Sequence, residues 1–384
     1  MKNKILISAL VFAGILGSGM AQEKAVRKAK SQYERQNLTE AASLIDAAVQ
    51  NPETSGSFDA WWTRGKIYVA VAANPLIARN FTNPVDVAKE SLDKAAQLDP
   101  GKVLLMRQDL DRLAGLFYDQ GAAAYGEGAY AEALADFEKS FQVSRMNSIY
   151  DTNAVFNAAL CAFNAEGSME SAIKYFKELV DMGWDNSAAD IYLAEAYLVS
   201  GLNAEAEAVM DKGLQRFPDD KNMYLSASSV YIRTGDNEKA SNILNAALIK
   251  WASDATFQRY LGVSYKNSGQ EAEAEAAFKK AIELNPGYLD AYIDLGNLYL
   301  DRGNRLNEEA SNLPLEAQEE YDAMTKQANE AFALAMPLLE KILEQDPDNV
   351  SVMQILYDVY VRVRDMDKAS ALKAKMDELT GAAE

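Results

Sequence analysis

The chain has 384 residues, with 38 Lys and Arg against 57 Asp and Glu for a net charge of -19, no histidine and one cysteine. Without histidine there is no imidazole base, no Ser-His-Asp triad and no histidine metal ligand. So acidic a chain is poorly suited to phosphate backbones, which argues against nucleic acid as a partner. A hydrophobic fraction of 49% and a charged fraction of 25% are those of a folded globular chain rather than a disordered one.

The first segment reads as an address. Met1 to Lys4 is basic, Ile5 to Leu16 is apolar, and Gly19-Met20-Ala21 supplies small residues at a cleavage position. This pattern predicts a signal peptide over 1–21, cut after Ala21. The apolar run is shorter than the ~20 residues of a membrane helix. The expected location is the periplasm or the exterior, with no membrane span in the mature chain.

The remainder, 22–384, carries an internal period. Phe163, Tyr197, Tyr231, Tyr265 and Tyr299 follow one another at steps of 34 residues, as do Gly167, Gly201, Gly235, Gly269 and Gly303. Ala172, Ala206, Ala240 and Ala274 keep the same step. A fixed period of this length marks a repeat array. The clearest unit reads Leu261, Gly262, Tyr265, Gly269, Ala274, Phe278, Ala281, Pro286.

This unit resembles the tetratricopeptide repeat (TPR), whose signature places Trp, Leu, Gly, Tyr, Ala, Phe and Pro at such offsets. The resemblance implies an all-α fold, an α-solenoid with about nine TPR-like helix pairs wound into a right-handed superhelix. Units are expected near 25–52, 58–100, 114–145, 153–184, 187–218, 221–252, 255–286, 289–347 and 350–380. Their second helices carry small anchors at Ala41, Ala88, Ala133, Ala172, Ala206, Ala240, Ala274, Ala335 and Ala369. The first, third, fourth and ninth units are degenerate, and 25–52 lacks the inter-helix glycine. In the intact units that glycine, such as Gly269, should take a left-handed backbone and the proline, such as Pro286, should stop the second helix.

Two stretches depart from the period. One lies between Asn74-Pro75 and Asn83-Pro84. The other, 305–334, spaces Tyr321, Met324, Ala328 and Phe332 three or four apart and is expected to be helical, with Pro337 near its end.

Chemistry is sparse. Ser91-Leu92-Asp93-Lys94 and Ser370-Ala371-Leu372-Lys373 contain the Ser-x-x-Lys spacing of acylating enzymes but lack its companion motifs, so no catalytic residue is assigned. No phosphate-binding glycine loop occurs, no metal ligands and no cofactor are expected, and Cys161 reads as a structural thiol. The chain is therefore read as a non-enzyme. Family members bind peptides or proteins with first-helix side chains facing a concave groove. Carried over by position, the protein-binding candidates are Trp62, Asn157, Asn164, Arg233, Arg259, Lys266, Asn267 and Asn297. Arg233, Arg259 and Lys266 could form a local basic spot. The resulting expectation is a protein-interaction scaffold of the bacterial envelope, with a glycan- or nutrient-binding envelope protein as the alternative.

Overall fold

The structure, a computed structural model, describes residues 24–381; the expected signal peptide lies outside them. The described residues are helical, with no strand among them. They fall into two compact units that divide between Ala196 and Tyr197.

In the first unit the helices are α1 (residues 24–34), α2 (Leu38–Gln50), α3 (Phe58–Ala72), α4 (Pro75–Ala78) and α5 (Pro84–Leu98). A 3-10 helix (Pro100–Met106) leads into α6 (Arg107–Gly126), α7 (Tyr130–Met146), α8 (Thr152–Asn164) and α9 (Met169–Asp181). The division falls within α10 (Ser187–Val199). The second unit holds α11 (Asn203–Arg216), α12 (Lys221–Thr234), α13 (Asn237–Lys250), α14 (Ala255–Asn267) and α15 (Glu271–Leu284). It closes with α16 (Leu289–Ser311), α17 (Gln318–Gln345), α18 (Val350–Arg362) and α19 (Met366–Thr380). Within each unit, helices adjacent in sequence pack on one another, as in α6 on α7, α7 on α8, and α14 on α15.

Short polar side chains start many of these helices. Asp151 accepts from the amide of Ala154 at 3.0 Å, Asp236 from Lys239 at 3.0 Å, and Asp254 from Thr256 at 2.8 Å and Phe257 at 3.1 Å. Each satisfies amides that the first turn leaves without an intrahelical acceptor. Four of the five periodic glycines leave their helices in the left-handed region: Gly167, Gly201 and Gly269 at φ +74° and Gly235 at +91°.

Gly303 departs from that series. It lies inside α16, because the extra sequence carries this helix on to Ser311 instead of turning. There a Cβ would stand 2.7 Å from the Phe332 ring. The glycine is needed for close helix approach, not for backbone freedom. The same insertion extends α17 at its start, and α17 continues through Pro337 without ending. In the first unit, α6 starts at Arg107, seven residues ahead of the expected opening of its unit at 114.

The alanine anchors form the interior of the array. Ala41, Ala88, Ala133, Ala172, Ala206, Ala240, Ala274 and Ala335 have no solvent exposure, and Ala369 has almost none. Small anchors let helix axes approach, and the large residues Phe137, Phe176, Phe278 and Phe332 fill the intervals.

A second device recurs between successive pairs. Tyr231 donates from its hydroxyl to Asp211 at 2.6 Å; Lys239 bonds the other oxygen at 2.8 Å and stands 4.4 Å over the tyrosine ring. Tyr68 and Arg64 repeat this arrangement on the two oxygens of Asp46 at 2.7 and 2.8 Å, and Tyr360 and Lys368 both donate to one oxygen of Glu340 at 2.6 and 2.7 Å. In each case a first-helix tyrosine is tied to a carboxylate on the preceding second helix, with a cation completing the set. Each charge-assisted bond fixes the rotation of one pair on the next.

Candidate functional site

The sequence-derived binding residues divide into those that packing has engaged and those that face outward. Trp62 is half-buried: its indole N–H donates to Asp109 at 2.8 Å, and Lys66 lies 5.1 Å from its ring. Burial pushes the Asp109 carboxyl above its ordinary value, with the Trp62 bond and the Lys66 and Arg112 charges opposing. Trp62 is thus a joint between α3 and α6 rather than an exposed anchor.

Arg259 bonds Asp294 at 2.6 Å and Asp290 at 3.1 Å, and Lys266 bonds Asp301 at 2.8 Å. Both cations on α14 therefore meet carboxylates of α16, so this face is charge-balanced rather than basic. Burial raises the Asp294 carboxyl while Arg259 pulls it down. Arg233, Asn267 and Asn297 are exposed. Asn164 is exposed and donates back to the Leu160 carbonyl at 2.8 Å.

Asn157 stands differently. It borders a pocket of about 170 Å³ with Ala122, Tyr125, Phe137 and Leu160. Ala122 and Tyr125 come from α6, Phe137 from α7, and Asn157 and Leu160 from α8. The pocket is therefore a notch between two first helices, floored by the second helix between them. Its floor is set by Gly121. A Cβ there would lie 3.1 Å from the Phe137 ring, so the glycine lets the ring lie flat beneath α6. The Tyr118 ring meets Phe137 edge-on at 5.2 Å, and its hydroxyl accepts from Asn157 Nδ2 at 2.8 Å. This bond leaves Asn157 Oδ1 as an acceptor at the rim.

Tyr118 also borders a second pocket of about 290 Å³, with Asp111, Gly115, Asp119, Ser140, Ser144 and Asp151. The α6 residues of the two pockets, Asp111, Gly115, Tyr118, Ala122 and Tyr125, recur at the spacing of one helical face. The two pockets are thus stations along a single groove. Sequence reading named Asn157 but missed Tyr118, Phe137 and Leu160. Tyr118 precedes the anchor Ala133 by the same interval as Asn157 precedes Ala172, so the register of the anchors, rather than the 34-residue step, carried that signal.

The serines of the motifs with catalytic spacing bond to carbonyls of their own helices. Ser91 is buried, donates to the Val87 carbonyl at 2.6 Å and accepts from Arg64 at 2.9 Å. Ser370 donates to the Met366 carbonyl at 2.8 Å. Burial pushes the Cys161 thiol up to about 11, far from the reactive thiolate range. Among the described residues, no cluster of three or more Cys, Asp or Glu is placed to hold a metal ion. Nor is any described helix long and apolar enough to cross a membrane.

Helical hairpins in fixed register, with alanine anchors and grooves between first helices, define a helical-repeat protein. Tetratricopeptide repeat models match residues 118–187 and 225–288, 163–229, and 277–310, which together tile half the chain. The chain belongs to the tetratricopeptide repeat family.

Among curated relatives, the antiviral innate immune response effector IFIT1 of Macaca fascicularis is 23% identical over 269 residues, covering 64% of this chain and 51% of the relative. The TPR repeat-containing protein YpiA of Bacillus subtilis is 24% identical over 253 residues, covering 62% of this chain and 56% of the relative. The chain spans about half the length of these relatives. Among solved structures, MamA from Desulfovibrio magneticus RS-1 aligns at TM-score 0.36 and 21% identity, covering 49% of this chain and 94% of that one. The thermophilic TPR protein TTC0263 of Thermus thermophilus aligns at TM-score 0.36 and 24% identity, covering 49% and 99%.

Proposed function

We propose that this protein is a non-enzymatic interaction scaffold that holds a peptide or protein segment in the groove between α6 and α8. The observation that supports the reading is the pocket over Phe137. It has room for one apolar side chain, and the Asn157 amide stands at its rim to bond a peptide backbone. Grooves of this kind, mostly apolar with a few placed polar groups, are the usual form of a recognition site. The basic and apolar start of the sequence supports export to the bacterial envelope, where the scaffold would act.

Panning a random dodecapeptide library against the full chain tests the reading. Saturable peptide binding that weakens on Asn157→Ala is expected. Absence of peptide binding together with saturable binding of oligosaccharides in titration would overturn it in favour of a glycan-binding role. Export is tested by the N-terminus of the protein recovered from the envelope fraction, expected at Gln22.

A further inference from the structure

The groove carries more than a place for an apolar side chain. Its two stations differ in charge. The station over Phe137 is walled by Ala122, Tyr125 and Leu160, with Asn157 at the rim. The adjoining station presents Asp111, Asp119 and Asp151, and no Lys or Arg lines it. Of the cations nearby in sequence, Arg107 and Arg112 of α6 are exposed and do not line the pocket, and two on α7 are engaged elsewhere. Lys139 of α7 pairs with Asp86 at 2.7 Å, and Arg145 of α7 pairs with Glu178 at 2.6 Å. Helix α8 contains no basic residue. Of the three carboxylates, Asp111 accepts from Asn147, and Asp151 caps α8 through the Ala154 amide. A carboxylate offers about four lone-pair positions, so both retain capacity toward the pocket. The stations are joined by Tyr118, which borders the acidic one and accepts from Asn157 at the apolar one.

Resting on the scaffold reading above, we propose that the α6–α8 groove selects an extended segment with one Lys or Arg and one bulky apolar residue (Leu, Met or Phe) about three residues apart. The spacing follows from the helix. Gly115 and Ala122 mark the two stations and are seven residues apart in α6. At 1.5 Å per residue this is about 11 Å. An extended chain covers that distance in about three residues. The occupant is basic because three carboxylates with no lining cation repel an acidic segment and attract a cationic one. It is apolar at the second station because a pocket of about 170 Å³ floored by a phenyl ring gains little from a polar group. The tyrosine between the stations separates the two side chains.

The test pans a random dodecapeptide library against the full chain and follows the selected peptides by fluorescence anisotropy. Enrichment of Lys or Arg about three residues from Leu, Met or Phe is expected. Ala122→Leu fills the apolar station from an exposed helical position that the core does not use. It should weaken a selected peptide about tenfold, a loss of one apolar anchor's worth. Asp119→Asn should weaken the same peptide severalfold but leave its Lys→Gln analogue unchanged, and raised salt should act in the same direction. Circular dichroism of each variant establishes that the fold is retained. Selected peptides that are acidic, or that bind Ala122→Leu and Asp119→Asn as tightly as the parent, would overturn the assignment and leave the scaffold reading standing. Failure to enrich any peptide, together with saturable binding of oligosaccharides, would remove both.

Discussion

Two glycines in the same repeat position should respond to the same substitution with opposite sign. Gly262 and Gly296 are 34 residues apart, both buried, both within first helices of the second unit. A Cβ at Gly262 would lie 2.5 and 2.6 Å from two Phe278 ring carbons, and Phe278 has no solvent exposure and no room to retreat. A Cβ at Gly296 would meet its nearest neighbour, Leu338, at 3.9 Å, an ordinary contact. Glycine to alanine within a helix gains about 1 kcal/mol of backbone propensity. Overpacking a tight core costs about 1–3 kcal/mol. Gly296→Ala should therefore stabilise by about 1 kcal/mol, because only the propensity term acts. Gly262→Ala should destabilise by up to about 2 kcal/mol, the overpacking cost less the propensity gain. Urea unfolding followed by far-ultraviolet circular dichroism reads both, with unchanged m-values as the check that a single transition is compared. Placing Gly262→Ala in a Phe278→Leu background should abolish its cost, giving a coupling of about 1–2 kcal/mol. If Gly262→Ala proves as stabilising as Gly296→Ala, the close-approach argument for this position is wrong.

Further outcomes follow from backbone and charge. Gly269→Ala, at φ +74°, should cost about 1–2 kcal/mol by the same assay although nothing lies within 4 Å of its Cβ. A cost near zero would remove the left-handed turn as the reason for that glycine. Burial opposes ionisation of Asp211, yet the bonds from Lys239 and Tyr231 hold its carboxyl below the ordinary value. A lowered folded-state pKa stabilises above the unfolded value of about 3.9, and that stability is lost as pH falls through the lower folded value. Asp211→Asn should thus be less stable than the parent at pH 7, and the gap should close in acid; a gap independent of pH would refute the clamp. Asp109 has the opposite sign. Burial raises its folded-state pKa, so its charge costs stability above that value and costs nothing below the unfolded one. Asp109→Asn, which keeps an acceptor for Trp62, should raise the urea midpoint at pH 7 and leave it unchanged near pH 3.

The parts of this fold legible in the sequence are those where one residue type has one physical use. An alanine at a repeat anchor is there for close approach, and all nine alanines named from spacing are interior. Glycine has two uses, and spacing does not separate them. Gly269 and Gly303 keep the same step, but one turns the chain and the other makes room for Phe332. The difference arises because the inserted residues continue α16 past the turn, and no local pattern around Gly303 marks that continuation. Charged residues are less legible still. Position alone puts Arg259 and Lys266 on one face of a first helix. Their partners Asp290, Asp294 and Asp301 stand on the same face one repeat later, so their charges cancel only once the two helices are set side by side.

The groove follows the same logic and shows where specificity can reside in such an array. Helix pairing fixes the small and large packing residues, so these cannot vary to suit a partner without the cost estimated for Gly262. The positions between them on the first helices are under no such constraint. In the second unit they are occupied by cations and carboxylates that neutralise each other across α14 and α16. Between α6 and α8 the corresponding positions carry Tyr118, Ala122, Tyr125 and Asn157, and no cation lines the pocket that holds the carboxylates beside them. A face whose charges are mutually satisfied has little electrostatic reason to bind. A face with an open apolar pocket beside carboxylates that no lining cation meets does, and for that reason we propose recognition at the α6–α8 groove rather than over the array as a whole.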